Sequence, residues 1–490
     1  MALLAEGAGL RRAIGRSGFF TLGFGSTVGS GWVLVLGEWL RQAGPGGSVC
    51  GFLAGGVVTI LVALCYGELA VRSSTAGAEF LYTLHTFGRL PAFLVGWFLT
   101  LSAVAMCAFE GIALAWFART LVPQIALSDA YVVAGTPVTW DALAIGITTA
   151  LIIAVLHLRG ARSAIRFQNV VTYTFIAVIA VLIICGVSLG SVRNLHPLIA
   201  TSPGQSAAIG VMWIFATCAY FLNGWQASLH AIEERREDVS VRAAVFSMIA
   251  AVGAATMFYI GIIIASSMAV SWPTLLTREL PAAAAFAALG GGGILGKVVL
   301  VAAMVSLTKT WSATAWIATR LLYAQSRHGL LPQQLGTVDP VRHAPRSAVV
   351  VVTILSMVGL ALGRSAVLPI VDTLSICGAA IIILSILVLL RRRQIDPRPS
   401  AYSVPGGMVT IWAAFVGTCA MVGIAFFKPL LDAHGAIPME WILIVSWGIL
   451  GTITWISTGR LRRGRHPEGI SVKLEAGKSG SLDEWDHKVR

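Results

Sequence analysis

Long apolar runs separated by short polar segments repeat along the whole chain, and the polar segments hold nearly all of the charge. The pattern predicts twelve membrane spans, near residues 19–41, 48–70, 92–122, 138–157, 169–190, 208–232, 243–271, 294–324, 346–364, 366–390, 408–427 and 438–459. Each is long enough to cross a hydrocarbon core of roughly 30 Å at about 1.5 Å per helical residue. Two of the runs are flawed in the middle. The first contains "GFGSTVGSGWVLV", Gly23 to Val35, and the sixth contains "FATCAYFLNGWQASLHAIEE", Phe215 to Glu234. Glycine inside a helix costs roughly 0.5–1 kcal/mol relative to alanine, so a cluster of glycines and hydroxyls marks an interruption.

The two flawed runs lie five spans apart. That is the spacing of two inverted five-helix repeats, each with its first helix broken at mid-membrane. Two further helices would follow at the C-terminal end. Unwound backbone is tolerated in a bilayer only where its polar groups face protein or a ligand. The N-terminal end of a half-helix suits a carboxylate, and the carbonyls ending the other half suit an ammonium or a metal cation. A zwitterion needs both at once. The competing use of such small residues is close helix–helix packing.

Composition agrees with this picture. Of 490 residues, 57% are hydrophobic and 12% charged, against roughly 25% charged in soluble domains. The net charge of +13 is a matter of placement rather than of nucleic-acid binding. With the N-terminus placed in the cytoplasm, 27 of the 35 Lys and Arg fall on the cytoplasmic side and seven on the other, with Lys309 inside a span. This bias predicts that both termini are cytoplasmic. No short apolar core with a small-residue cleavage site opens the chain. The domain reading is a cytoplasmic N-terminal segment over 1–18, one transmembrane unit over 19–459, and a mixed-charge cytoplasmic tail over 460–490. The seven cysteines lie in or beside apolar runs without a CxxC pair and read as small packing residues, not as metal ligands.

At this level the chain resembles the amino acid–polyamine–organocation (APC) superfamily of transporters, which have the LeuT-type fold. The resemblance rests on six stretches in order: "STVGSGW"; "QAGPGG"; "ALCYGELAVRSSTAGAEFLYTLHTFGRLPAFLVGW"; "LRGARSAIRFQNVVT"; "YFLNGWQASLHAIEE", closest to the L-type amino acid transporter group; and "ATRLLYAQSRHGLLP". It implies a substrate site at the two breaks. Backbone N–H groups of Ser30 and Gly31, with Ser26 nearby, would face a substrate carboxylate. The carbonyls of Thr27, Tyr220, Phe221 and Asn223 would face its ammonium. Tyr220 would stand as an aromatic gate, and spans 1, 2, 6 and 7 would rock against the rest. Two positions depart from the family pattern. Trp32 directly follows the G-S-G stretch and either narrows the pocket or faces another helix. Phe175 stands where some proton-coupled relatives have a lysine.

Charges inside the spans are the remaining candidates. Lys309 in the eighth span is expected to face the bundle, because a central charge costs at least about 2.5–3.5 kcal/mol in lipid. Its ammonium would replace a sodium ion or carry a proton; a snorkelling or structurally paired lysine is the other reading. Glu110, in the third span, would pair with Lys309, meet a cationic substrate or carry protons. Asp372 and Glu38 read as vestibule residues. Glu233 and Glu234, beside Arg235 and Arg236, read as an intracellular gate or a solvated charge run. No P-loop, HExxH or nucleophile elbow occurs, so no catalytic residue or resident cofactor is expected. The expected activity is secondary transport of an amino acid across the cytoplasmic membrane, proton- or sodium-coupled or by exchange. A polyamine or organic-amine permease is the alternative, and a channel or receptor a more distant one. The expected partners are a small-molecule substrate and the lipid bilayer.

Overall fold

The computed structural model describes residues 10–457 and 459, except 74, 134, 201–205, 291–292, 397–399 and 433–438. The expected tail over 460–490 and the side chain of Asp372 therefore lie outside the described residues. In chain order, α1 (Arg16–Thr27) stops at the glycine–serine stretch. The backbone resumes as α2 (Gly31–Leu34) and continues through Val35 into α3 (Leu36–Arg72). α3 bends sharply at Gly44, where φ is 68° and the helix becomes non-helical just before Pro45. Its first part completes span 1 and the remainder is span 2.

A short helix, α4 (Glu79–Phe87), precedes span 3, which is α5 (Arg89–Leu121). A two-stranded antiparallel hairpin, β1 (Asp129–Val133) and β2 (Thr136–Thr139), links it to α6 (Trp140–Leu158) and then α7 (Ala161–Leu189). Span 6 is α8 (Ala207–Phe221), an unwound stretch, and the single turn α9 (Ala227–His230). Then follow α10 (Val241–Ala269), the short α11 (Pro281–Ala287) and α12 (Ile294–Arg327). Spans 9 and 10 are the two parts of α13 (Arg346–Ile395), which bends at Gly363 with φ 76°. α14 (Gly407–Asp432) and α15 (Met439–Ser457) follow among the described residues.

Each of the twelve expected spans thus corresponds to a helix or to a helix in two pieces. Among the described residues, eight helices are individually long and apolar enough to cross a membrane. The first span is missing from that set because it is broken, and the sixth contributes only the shorter Ala207–Phe221. The sequence pattern did not announce α4, α11 or the hairpin. All three are short, and none carries a span-length apolar run.

Packing sorts the helices into two groups. α3 packs on α8 and α10, and α1 packs on α10; α5 packs on α12 and α13, and α13 on α6. The first group contains spans 1, 2, 6 and 7. An aromatic core fills it, with Trp39 4.9 Å from Phe221 and Phe52 4.9 Å from Tyr259, ring centre to ring centre. α1 meets the second group along α12, and that contact lies at the break.

Candidate functional site

The break in span 1 frees carbonyls on one side and N–H groups on the other. The carbonyls are bound from α12. Lys309 Nζ donates to Gly25 O at 3.3 Å and also to Val28 O. Thr310 Oγ1 reaches the same two oxygens at 2.9 and 3.1 Å. Ser306 Oγ reaches Val28 O and Gly29 O, both at 2.9 Å. Ser306, Lys309 and Thr310 are spaced i, i+3, i+4, which places them on one helix face. That spacing is legible in "SLTKT", where Ser306 and Thr310 accompany the conspicuous Lys309.

The lysine is fully buried. Its ammonium lies 4.6 Å from the Phe175 ring centre and 5.7 Å from that of Phe24, so two aromatic faces and backbone oxygens replace its water. Phe175 therefore takes no charge itself; it covers the charge supplied by α12. Across the break the N–H groups of Gly29, Ser30 and Gly31 have no hydrogen-bond partner among the described residues. They are the leading donors of a half-helix, the groups that an anion satisfies.

The break in span 6 satisfies itself. Gly224 N donates to Asn223 Oδ1 at 2.8 Å and to Gln226 Oε1 at 2.9 Å, and Gln226 Nε2 donates to Asn223 Oδ1 at 2.9 Å. The Asn223 side-chain oxygen is thus spent on the turn. Tyr220 O already accepts from Asn223 N at 3.2 Å. Gly224 is required for two reasons. Its φ is 104°, and a Cβ there would sit 2.6 Å from the backbone oxygen of Ser26. At the same point Ser26 Oγ donates to Gly224 O at 2.5 Å, so the two breaks touch directly.

A cavity of about 1010 Å³ opens against both breaks. Ser26, Thr27, Ser30, Gly31, Tyr220, Phe221 and Asn223 all line it, as does Glu110. Gly31 lets the Phe221 ring approach; a side chain there would collide with that ring. Trp32 is turned away. It is fully buried between Phe175 and Phe258, at 6.3 and 5.8 Å ring to ring, and does not border the cavity. Of the two orientations open in the sequence, this is the one that faces other helices. Lys309 is also outside the cavity wall, behind the unwound backbone. Glu110 stands on the cavity side with one oxygen 3.5 Å from the position a Gly29 Cβ would take and the other without a partner. No direct ion pair joins Glu110 to Lys309 among the described residues; they flank the same unwound segment from opposite sides.

The charges at the cytoplasmic end, by the expected orientation, include one buried pair between two elements. Glu234 does not pair with its neighbours Arg235 and Arg236. It turns inward to Arg320 of α12, with Nε–Oε1 2.9 Å and Nη2–Oε2 3.1 Å, both residues fully buried. The Arg320 guanidinium lies 3.4 Å over the Trp316 ring. Arg236 pairs instead with Asp238 at the surface, 2.7 Å apart. The cause is the short 3-10 turn over Ile232–Glu234, which swings the two neighbouring carboxylates apart. Glu233 Oε2 accepts from Ala76 N at 3.0 Å. Ala13 N and Ile14 N donate to Glu234 O, and Arg236 N to Ile14 O, so the start of the chain is clamped over the end of span 6. Glu38, expected in the vestibule, borders the cavity and is exposed beside Arg41 and Gln42. Trp225 fills the core 5.0 Å from Tyr66 rather than reaching the cavity.

Two interrupted helices meeting at a central cavity within a polytopic helical bundle define a membrane carrier built for alternating access. The chain belongs to the amino acid permease family, whose profile matches residues 14–449. It is 24% identical over 461 residues to the methylthioribose transporter of Bacillus subtilis, covering 92% of this chain and 94% of that one. It is 24% identical over 411 residues to the branched-chain amino acid permease BcaP of the same organism, covering 81% and 84%. It is 24% identical over 429 residues to cationic amino acid transporter 4 of Mus musculus, covering 84% and 65%. The family is the one the six sequence stretches indicated, and the chain is a multi-pass membrane permease.

Proposed function

We propose that this permease moves an amino acid across the cell membrane by alternating access, with both termini in the cytoplasm. One observation carries the substrate reading: the idle N–H groups of Gly29, Ser30 and Gly31 border the same cavity as Thr27, Phe221 and Asn223. A carboxylate binds the first set and an ammonium the carbonyls of the second, as the separated charges of an amino acid require. Glu110, with a free carboxylate oxygen at the cavity wall, supports the alternative of an organic amine lacking a carboxylate. Such a ligand would leave the span 1 donors unused.

The coupling reading follows from Lys309. Its ammonium holds the carbonyls of Gly25 and Val28, the oxygens at which a metal cation would otherwise bind. A fixed cation makes sodium unnecessary at this point. Proton movement through Lys309 and Glu110, or obligatory exchange, then drives transport. Orientation rests on the bias of Lys and Arg toward one side.

Counterflow in proteoliposomes tests the activity, and a thermal-shift screen of the purified protein against the twenty amino acids and common amines tests the substrate class. Saturable, counterflow-stimulated, sodium-independent uptake of an amino acid is expected. Stabilisation by amines alone and by no amino acid overturns the substrate reading. Linear flux without counterflow overturns the carrier reading.

A further inference from the structure

The cavity does not end at the breaks. On α5 it is lined by Leu99, Ser102, Ala103, Met106 and Glu110, a helical stripe of positions that spans about 16 Å at 1.5 Å per residue. On α12 it runs from Thr310 through Thr314 to Ile317, about 10 Å toward the cytoplasmic end by the same rise. Below the level of Ser30 and Gly31 the cavity therefore continues between Leu99, Met106 and Ile317 and the smaller Ser102, Ala103 and Thr314, deeper than a short side chain needs.

At the inner end of this extension, among the residues bordering the cavity, stand Glu79 of α4 and His230 of α9. Both are buried, and Glu79 Oε2 lies 3.1 Å from His230 Nε2. The contact is a proximity rather than a hydrogen bond: Glu79 Oε2 has no hydrogen-bond partner among the described residues. His230 Nδ1 is buried and has no partner. The groups around the pair are Tyr66, whose hydroxyl donates to Ser385 Oγ at 3.0 Å, and Tyr82, whose hydroxyl has none. No Lys or Arg is paired with Glu79 among the described residues. An unsatisfied carboxyl oxygen and an unpartnered imidazole nitrogen at the cavity wall are complementary to a donor-bearing cation and leave an apolar side chain unrewarded.

We infer that Glu79 and His230 form a distal subsite that reads the side-chain terminus of the substrate and selects amino acids with a long stem ending in an ammonium or guanidinium. This rests on the amino-acid reading above. His230 N donates to Gln226 O at 3.1 Å, which sets the imidazole one helical turn, about 5.4 Å, beyond the span 6 break. A lysine or arginine stem held by its α-groups at the breaks extends along that turn.

Equilibrium binding of L-arginine, L-lysine, L-norleucine and L-alanine to the purified full-length protein tests the inference. Arginine and lysine should bind roughly tenfold or more tightly than norleucine, which has the stem without the cation. Glu79→Gln should remove that advantage and leave alanine and norleucine affinities unchanged. His230→Gln, which keeps a polar side chain of similar reach, should reduce the advantage in part. Norleucine binding as tightly as arginine to the unaltered protein overturns the inference and leaves the amino-acid reading standing. So does a Glu79→Gln protein that weakens all four ligands equally, since that is the result of a purely structural pair. If none of the four binds, the amino-acid reading falls and the inference falls with it.

Discussion

The two breaks in this molecule solve one problem in opposite ways. In span 6 the chain closes the gap with its own side chains, Asn223 and Gln226, within four residues. In span 1 the freed carbonyls are held by three side chains of another helix, 277 to 285 residues away in sequence. A self-closed break keeps its geometry wherever its helix moves. A break held from outside keeps its geometry only while the two helices stay in register. α12 packs with α5, whereas α1 packs with α10, so the Lys309 contact crosses the boundary between the two packing groups. It is the place where a change of charge can alter how the groups sit on one another.

The largest expected effect is on function and comes from removing that charge. In Lys309→Met the carbonyls of Gly25 and Val28 keep Thr310 and Ser306 as donors, and a buried cation is gone. Replacing a buried charge with an apolar group of similar volume is often neutral or stabilising. The folded protein should therefore keep or raise its melting temperature, while transport falls by roughly tenfold or more and loses its dependence on a pH gradient. Uptake in proteoliposomes beside a melting curve checks both. Unchanged pH dependence would reduce Lys309 to a structural pin and remove the contrast between the breaks.

Next in size is Gly224→Ala. The substitution forces an L side chain into φ 104° and drives a Cβ onto the Ser26 oxygen. Destabilisation of about 1–3 kcal/mol is expected, read as a lowered thermal midpoint with substrate binding weakened at the same time, because the point of contact between the breaks is displaced. Ala at a neutral position of span 6 serves as control. A Gly224→Ala protein as stable as the parent would mean that the span 6 turn can rearrange, contrary to its self-closed character.

Much of this organisation is written in local sequence. Hydropathy marks the spans, a glycine–hydroxyl cluster marks the first break and an Asn-Gly step among polar residues marks the second, because unwinding has a compositional signature. Lys309 stands out because a charge in an apolar run is conspicuous. What is not legible depends on phase and on distance. Trp32 follows a break, and across a break the helical period no longer predicts which way a side chain faces. The Asn223 side-chain oxygen is taken up by the turn at Gly224, which its place in the sequence does not show. Glu234 directly precedes Arg235 and Arg236, yet its partner Arg320 is 86 residues away and is reached only through the 3-10 turn. Glu79 and His230 are 151 positions apart in the chain and meet only because α4 lies against the end of span 6. No periodicity within either segment points to the other.

The smallest effects separate the two ways of closing a break. Ser306→Ala removes a donor from Val28 O and Gly29 O, but Val28 O retains Lys309 and Thr310. Gln226→Leu removes one of two acceptors from Gly224 N and the donor to Asn223 Oδ1, with no neighbouring helix to compensate. Each is worth about 0.5–1.5 kcal/mol as a net hydrogen-bond loss. Their dependence on Lys309 should differ. Combined with Lys309→Met, Ser306→Ala should cost more than the sum of the single changes, because the shared oxygen then has only Thr310. Gln226→Leu should simply add, since it shares no partner with α12. A double-mutant cycle on thermal stability distinguishes the cases. Equal coupling of both substitutions to Lys309 would show that the two breaks behave as one unit after all.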